Sequence, residues 1–229
     1  MKKHLGVMVL TSLVLVLAGC KLEHNSRVKY SQLKNDFVTI DTVAQVEVAA
    51  CNDYKDNTKP SDSLTKVNAI MKKVFPDSEF EECKIQNMKS VASYTVPMEI
   101  GQLPPEATDY TPKGISLIRN QGGTVFFFLS QGVRDQIAAG KKDPMTKDIA
   151  LNVNIRVTND TAGELKLNPH AIFVDNSAFA GLPSWGNFAV IKTKQARNIT
   201  LSDVSTEFAL QTGVAPVFTE MQDSPDTKQ

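Results

Sequence analysis

The sequence predicts an α+β protein in which an N-terminal β-α-β-β unit is followed by a β-rich, sandwich-like part. Three patterns lead there. Residues 37–51, "FVTIDTVAQVEVAAC", place Val and Ile at alternating positions, the period of a half-buried strand. In "SDSLTKVNAIMKKVF" the apolar residues Leu64, Val67, Ile70, Met71 and Val74 recur at helical spacing. From Asp148 onward alternation returns in several short segments divided by turn residues.

Ahead of these elements stands "LVLVLAGCKLE", residues 13–23. Lys2 and Lys3 precede an apolar run over residues 5–17, and that run is too short for a bilayer, which takes about 20 apolar residues. A cleaved export signal over 1–19 fits better. Its end, Leu17-Ala18-Gly19-Cys20, resembles the lipobox of bacterial lipoproteins. The resemblance implies that Cys20 becomes a lipid-modified N-terminus, palmitate included. Several acyl chains at about 0.8 kcal/mol per buried CH₂ would then hold the protein on a membrane surface. In Gram-negative lipoproteins an Asp after the lipidated Cys favours inner-membrane retention. Here that position is Lys21, so the expected location is the outer membrane, facing the periplasm.

Residues 20–36 read as a lipidated tether, because "KLEHNSRVKYSQLKND" is polar and shows no sustained period. As a flexible coil its 16 residues from Lys21 would span about 20 to 24 Å. The competing reading makes "RVKYSQL" an edge strand. The next part, 37–100, holds the first strand, a helix behind Ser61, Asp62 or Ser63 as cap and ahead of Pro76, and two strands in "SEFEECKI" and "SVASYTVPMEI". Cys51 and Cys83, an even pair in exported sequence, are expected to form a disulfide around that helix. A redox or metal pair fits poorly, with 31 intervening residues and no neighbouring His.

Residues 101–114, "GQLPPEATDYTPKG", form a Pro/Gly-rich linker. The β-rich part, 115–218, opens with a hairpin turning at Asn120 to Gly123. A short helix capped by Ser130 and stopped by Gly140 follows. Over 148–201, a strand, the turn Asn159-Asp160-Thr161, a second strand and "IKTKQARNITL" resemble immunoglobulin-like modules of bacterial envelope proteins. A last helix runs from Ser202 or Asp203 to near Gly213, and 219–229 reads as a disordered tail.

Beyond the signal the chain keeps all 25 acidic residues and 23 of its 25 basic ones, a formal charge of −2. That balance gives no electrostatic footprint for nucleic acid. No cofactor or metal motif is present: the P-loop, Rossmann glycines, the Gly-x-Ser-x-Gly elbow and His-Glu-x-x-His are all missing. His24 falls in the tether and His170 at the start of a strand. Asp53, Asp56 and Asn57 lack the ligand spacing of a calcium loop. Glu79, Glu81 and Glu82 could serve a glycan-cleaving enzyme, which needs two carboxylates at a set separation. Solvated charges on a strand explain them as well.

One loop stands out. "VDNSAFAGLPSWGNF" carries Phe179, Leu182, Phe188 and the single Trp, Trp185, among Gly and Pro. Such residues either form a recognition surface or fold back as a plug. The overall layout resembles uncharacterised lipoproteins of enterobacteria and their prophages. The expected function is therefore a non-enzymatic, lipid-anchored envelope protein. Its partners would be the membrane, through the lipid, and an envelope protein or glycan. A prophage-encoded role would be modification of the host envelope. The alternatives are a carboxylate-dependent enzyme acting on glycan or peptidoglycan, and a periplasmic carrier of a small apolar ligand.

Overall fold

The computed structural model describes residues 21–107, 110–142, 150–179 and 188–221. The chain runs β1 (Lys21–Lys29), a 3₁₀ turn (Tyr30–Lys34), β2 (Val38–Val48), α1 (Asp62–Val74), β3 (Glu79–Gln86), β4 (Lys89–Gln102), β5 (Ile115–Arg119) and β6 (Thr124–Leu129). There follow α2 (Gln131–Lys142), β7 (Ala150–Thr158), β8 (Leu165–Pro169), β9 (Ile172–Val174), β10 (Ser177–Phe179), β11 (Ala189–Ile191), β12 (Ala196–Leu201), α3 (Asp203–Thr212) and β13 (Val214–Glu220). Among the described residues all thirteen strands join one sheet, in the order β10-β9-β12-β7-β1-β2-β4-β5-β6-β13-β8-β11, with β3 on a free stretch of β4.

This overturns the α+β expectation. The protein is mostly β, and its sheet curls as a half-barrel. The strand and helix segments expected between 37 and 100 are present, but they do not make a separate β-α-β-β unit. β2 pairs with β1, and β1 pairs in parallel with β7 over nine positions, from Lys21↔Ala150 to Lys29↔Thr158. The same pairing removes the separate immunoglobulin-like sandwich, because the strands after Asp148 extend the sheet that the N-terminal strands began. β4 takes in Gly101 and Gln102 of the expected 101–114 linker and pairs in parallel with β5, so the linker begins only after Gln102 and divides no domains. The curl follows from connectivity. His170 and Ala171 alone separate β8 from β9, yet these strands lie near opposite ends of the order, so the ends must curve toward each other. α3 spans the gap, touching β13 and β6 on one side and β7 and β12 on the other.

The segment read as a tether is a strand in mid-sheet, with an in-facing row of Leu22, His24, Ser26 and Val28. Tyr30 and Leu33 of the following turn are fully buried. Two polar residues in that row broke the hydrophobic alternation by which a strand is recognised. Thr219 and Glu220, assigned to a tail, complete β13; residues 222–229 lie outside the described residues. Elsewhere local signals agree with the outcome. Ser61 caps α1 by accepting the Leu64 N–H at 3.1 Å, and Gly213 closes α3 in the left-handed conformation at φ 90°. Gly140 does not stop α2, which continues to Lys142.

At β4 the sheet forks. One edge of β4 pairs with β2 along its length, while the other pairs with β3 up to Thr95 and with β5 from Met98. Pro97 sits at the fork, where the missing N–H leaves no ladder bond unmade. Cys51 and Cys83 are joined, their Cα atoms 5.5 Å apart, and the closed loop contains α1. On the chain-entropy model a loop with this 32-residue separation stabilises by roughly 3.5 to 4 kcal/mol. Cys51→Ala should therefore lower the urea midpoint by the corresponding amount, and reductant should do the same to the wild type but not to the variant.

Candidate functional site

β12, β7, β1 and β2 lie side by side, and each turns alternate residues to solvent. On β7, Leu151, Val153, Ile155 and Val157 enter the core while Asn152, Asn154 and Arg156 face out. On β1, Glu23, Asn25 and Arg27 face the same way. The outward face sinks into a depression of about 880 Å³ lined by polar residues apart from Val43 and Ile155.

Register arranges these side chains in rows across the strands, the geometry in which neighbours interact most strongly. Thr200, Asn154, Asn25 and Val43 are successive partners on β12, β7, β1 and β2. Asn154 donates to Asn25 at 3.1 Å and accepts from the Thr200 hydroxyl at 2.8 Å. In the next row Asn198 pairs with Arg156 and Arg156 with Arg27. Arg156 donates to the Asn198 side chain at 3.0 Å. Asp175 closes the row's end. Partial burial pushes its carboxyl up, but the Asn198 N–H at 2.9 Å and the Arg197 guanidinium at 2.8 Å outweigh that and hold it below the usual range.

Such a surface suits binding by hydrogen bonds, since an amide presents donors and acceptors together. Two carboxylates also line it: Glu23 pairs with Gln45, four residues along β2 from Asp41, so roughly 13 Å of strand separates their backbone positions.

Beneath this face lies His24, 1% exposed. The Thr42 hydroxyl donates to the Val96 carbonyl at 2.6 Å, so it must accept from His24 Nε2–H at 2.8 Å. Nδ1 is left as the bare ring nitrogen, buried without a partner. Burial drives the imidazole pKa down to about 4. His24 is thus a core residue and not part of a tether.

The other expected sites are dispersed. Cys20, Leu182 and Trp185 lie outside the described residues. Phe179 ends β10 and packs partly on the core, while Phe188 stands 38% exposed just before β11. Glu79, Glu81 and Glu82 are all exposed on β3. A bulge at Glu81 breaks the alternation that was to put Glu79 and Glu81 on one face. Glu81 accepts from Thr95 and Glu82 from Lys84, so none of the three is a desolvated acid. Asp53 and Asp56 accept turn N–H groups, and among the described residues no cluster could hold a metal ion. His170 hydrogen-bonds Thr219 at 2.8 Å.

A second cleft, about 400 Å³, lies between the end of α1 and the start of α2. Val74, Phe75, Pro97, Ile115 and Val133 give it apolar walls, and Lys73, Lys113 and Glu99 stand among its polar residues. Tyr110 donates to Glu99 and contacts Ser116 at 2.7 Å; burial, then the Glu99 carboxylate, raise its phenol above the ordinary value.

A family model described as a domain of unknown function, DUF7424, matches residues 23–226. The chain belongs to that family. No curated protein and no solved structure matches it. The matched span runs from within β1 to beyond β13, so the family's unit takes in all of the curled sheet but its first two residues, and the polar face with it. Among the described residues no helix is long and apolar enough to cross a membrane.

Proposed function

We propose that this is a lipid-anchored protein of the cell envelope, held by Cys20 at the outer membrane facing the periplasm, that binds a hydrophilic envelope component without transforming it. The observation that carries the binding half is the depression of about 880 Å³ on the face of β12, β7, β1 and β2. Its amides are already aligned by sheet register, so a ligand meets them with little ordering cost. The lipobox-like Leu17-Ala18-Gly19-Cys20 supports the anchoring half. A prophage role in modifying the host envelope is one use of such a protein.

Two measurements test the two halves. Cys20→Ser should abolish palmitate labelling and leave a longer precursor; label that persists in the variant overturns the anchor. Asn154→Leu should abolish retention of the detergent-purified protein on isolated envelope polysaccharide while leaving its melting temperature within a degree or two of wild type. Unchanged retention overturns the polar face as the site. The cleft between α1 and α2 supports a second reading, carriage of a small ligand with an apolar body, since its volume falls in the range of small-molecule sites. Val133→Trp would fill that cleft and separate the two readings.

A further inference from the structure

On β1 and β7 the register sets Arg27 directly beside Arg156. Adjacent strands are about 4.8 Å apart, and like charges facing each other across them are destabilising. Sheets ordinarily avoid this or place a carboxylate between the cations. Here the β1–β2 pairing ends at Asn25↔Val43, so the ladder does not hold the nearest acid of β2, Asp41, against Arg27. Among the described residues Arg27 makes no ion pair, and it is exposed; Arg156 is held by Asn198 on its other side. Asp175, within the electrostatic reach of Arg156, is itself occupied by Arg197 and the Asn198 N–H. Two arginines therefore stand side by side at the lip of the depression, and although Glu23 and Asp41 also line it, neither makes an ion pair with Arg27 or Arg156. A local conflict of this kind is expected where function demands it.

We infer that the Arg27–Arg156 pair is a carboxylate-binding site and that the ligand of the polar face is an acidic glycan, its acid group on the two arginines and its hydroxyls on Asn25, Asn154, Asn198 and Thr200. This rests on the binding function proposed above and names the ligand's class. The guanidinium fork matches a carboxylate in bidentate geometry. The neighbouring row is built of amides and a hydroxyl, which can both donate to and accept from sugar hydroxyls. A peptide is the poorer occupant. Peptides join sheets through free strand edges, whereas Leu22 to Asn25 of β1 and Asn154 to Thr158 of β7 are paired on both sides.

The test uses the full-length protein in detergent. Binding is measured by calorimetry to uronic-acid and N-acetylmuramic-acid oligosaccharides and to the methyl esters of each, which keep the shape and remove the charge. At least one acid form should bind, with its ester at least tenfold weaker and the acid's affinity falling as salt rises. Arg27→Gln and Arg156→Gln should each weaken the acid form by tenfold or more without shifting melting, and Arg27→Lys should recover part of the loss. Asn154→Leu should weaken acid and ester alike. Acid and ester bound equally, both lost in Asn154→Leu, would leave the polar face as a glycan site and overturn the acid-binding pair. Acid binding that survives every one of these substitutions would overturn both readings. Failure of all the saccharides, or capture of acidic peptides in their place, would overturn the glycan assignment.

Discussion

Glu220→Gln is expected to lower the unfolding free energy by about 3 to 5 kcal/mol, the usual cost of removing one partner from a buried ion pair. Glu220, near the end of β13, accepts from Arg119 at 2.7 Å and from Lys34 at 2.8 Å. Arg119 is only 8% exposed and spends its other terminal nitrogen on Gln102 at 2.9 Å. This one cluster therefore ties β13 to β5, to β4 and to the 3₁₀ turn. Burial pushes the Glu220 carboxyl up, but Lys34, Tyr30 and Arg119 together hold it below the ordinary value. A neutral Gln keeps the shape and leaves Arg119 charged, buried and without its counter-ion. The double variant Arg119→Met with Glu220→Met should recover more than half of the loss, because apolar replacements bring no charge to desolvate. Urea unfolding of the three proteins measures this, and a loss below about 1 kcal/mol in the single variant would show that the Arg119 charge reaches water.

The second large effect is with pH. His24 titrates near 6.5 when unfolded and at about 4 when folded. Between those values the unfolded chain carries a proton that the folded chain refuses, so stability falls as pH drops through this window. By pH 4 the loss is about 3 kcal/mol, at roughly 1.4 kcal/mol per unit. The structural cause is Nδ1: a proton added there would point into the core with no acceptor. His170, also lowered by burial, acts in the same direction. Glu220, held below the ordinary carboxylate value, loses its contribution progressively as pH falls from the ordinary carboxylate range through its lower folded value, so the response above pH 5 belongs to the histidines. Between pH 7.5 and 5 the wild type should therefore lose about 2 kcal/mol, and His24→Gln should lose markedly less. Equal slopes would mean that another group governs the acid response.

Features decided within a few residues could be read from the sequence alone. Ser61 and Ser202 start helices, Gly213 ends one, and Asn120 to Gly123 turns a hairpin, because each is fixed by backbone conformation and a single nearby hydrogen bond. The Cys51–Cys83 pairing was legible by counting. Sheet membership was not. Whether β1 is a tether or a central strand depends on β7, more than 120 residues away, and its buried row includes His24 and Ser26, which are acceptable inside only because Thr42 and the Asn154 carbonyl receive them. The polar face was hidden for the same reason. Asn25, Asn154 and Thr200 are unremarkable solvent positions in three separate segments, and Arg27 meets Arg156 only through the parallel register of β1 and β7. Local chemistry therefore determined the helices, turns and disulfide, whereas long-range strand pairing decided the fold class and created the candidate site, since pairing partners are chosen by packing that no single segment encodes.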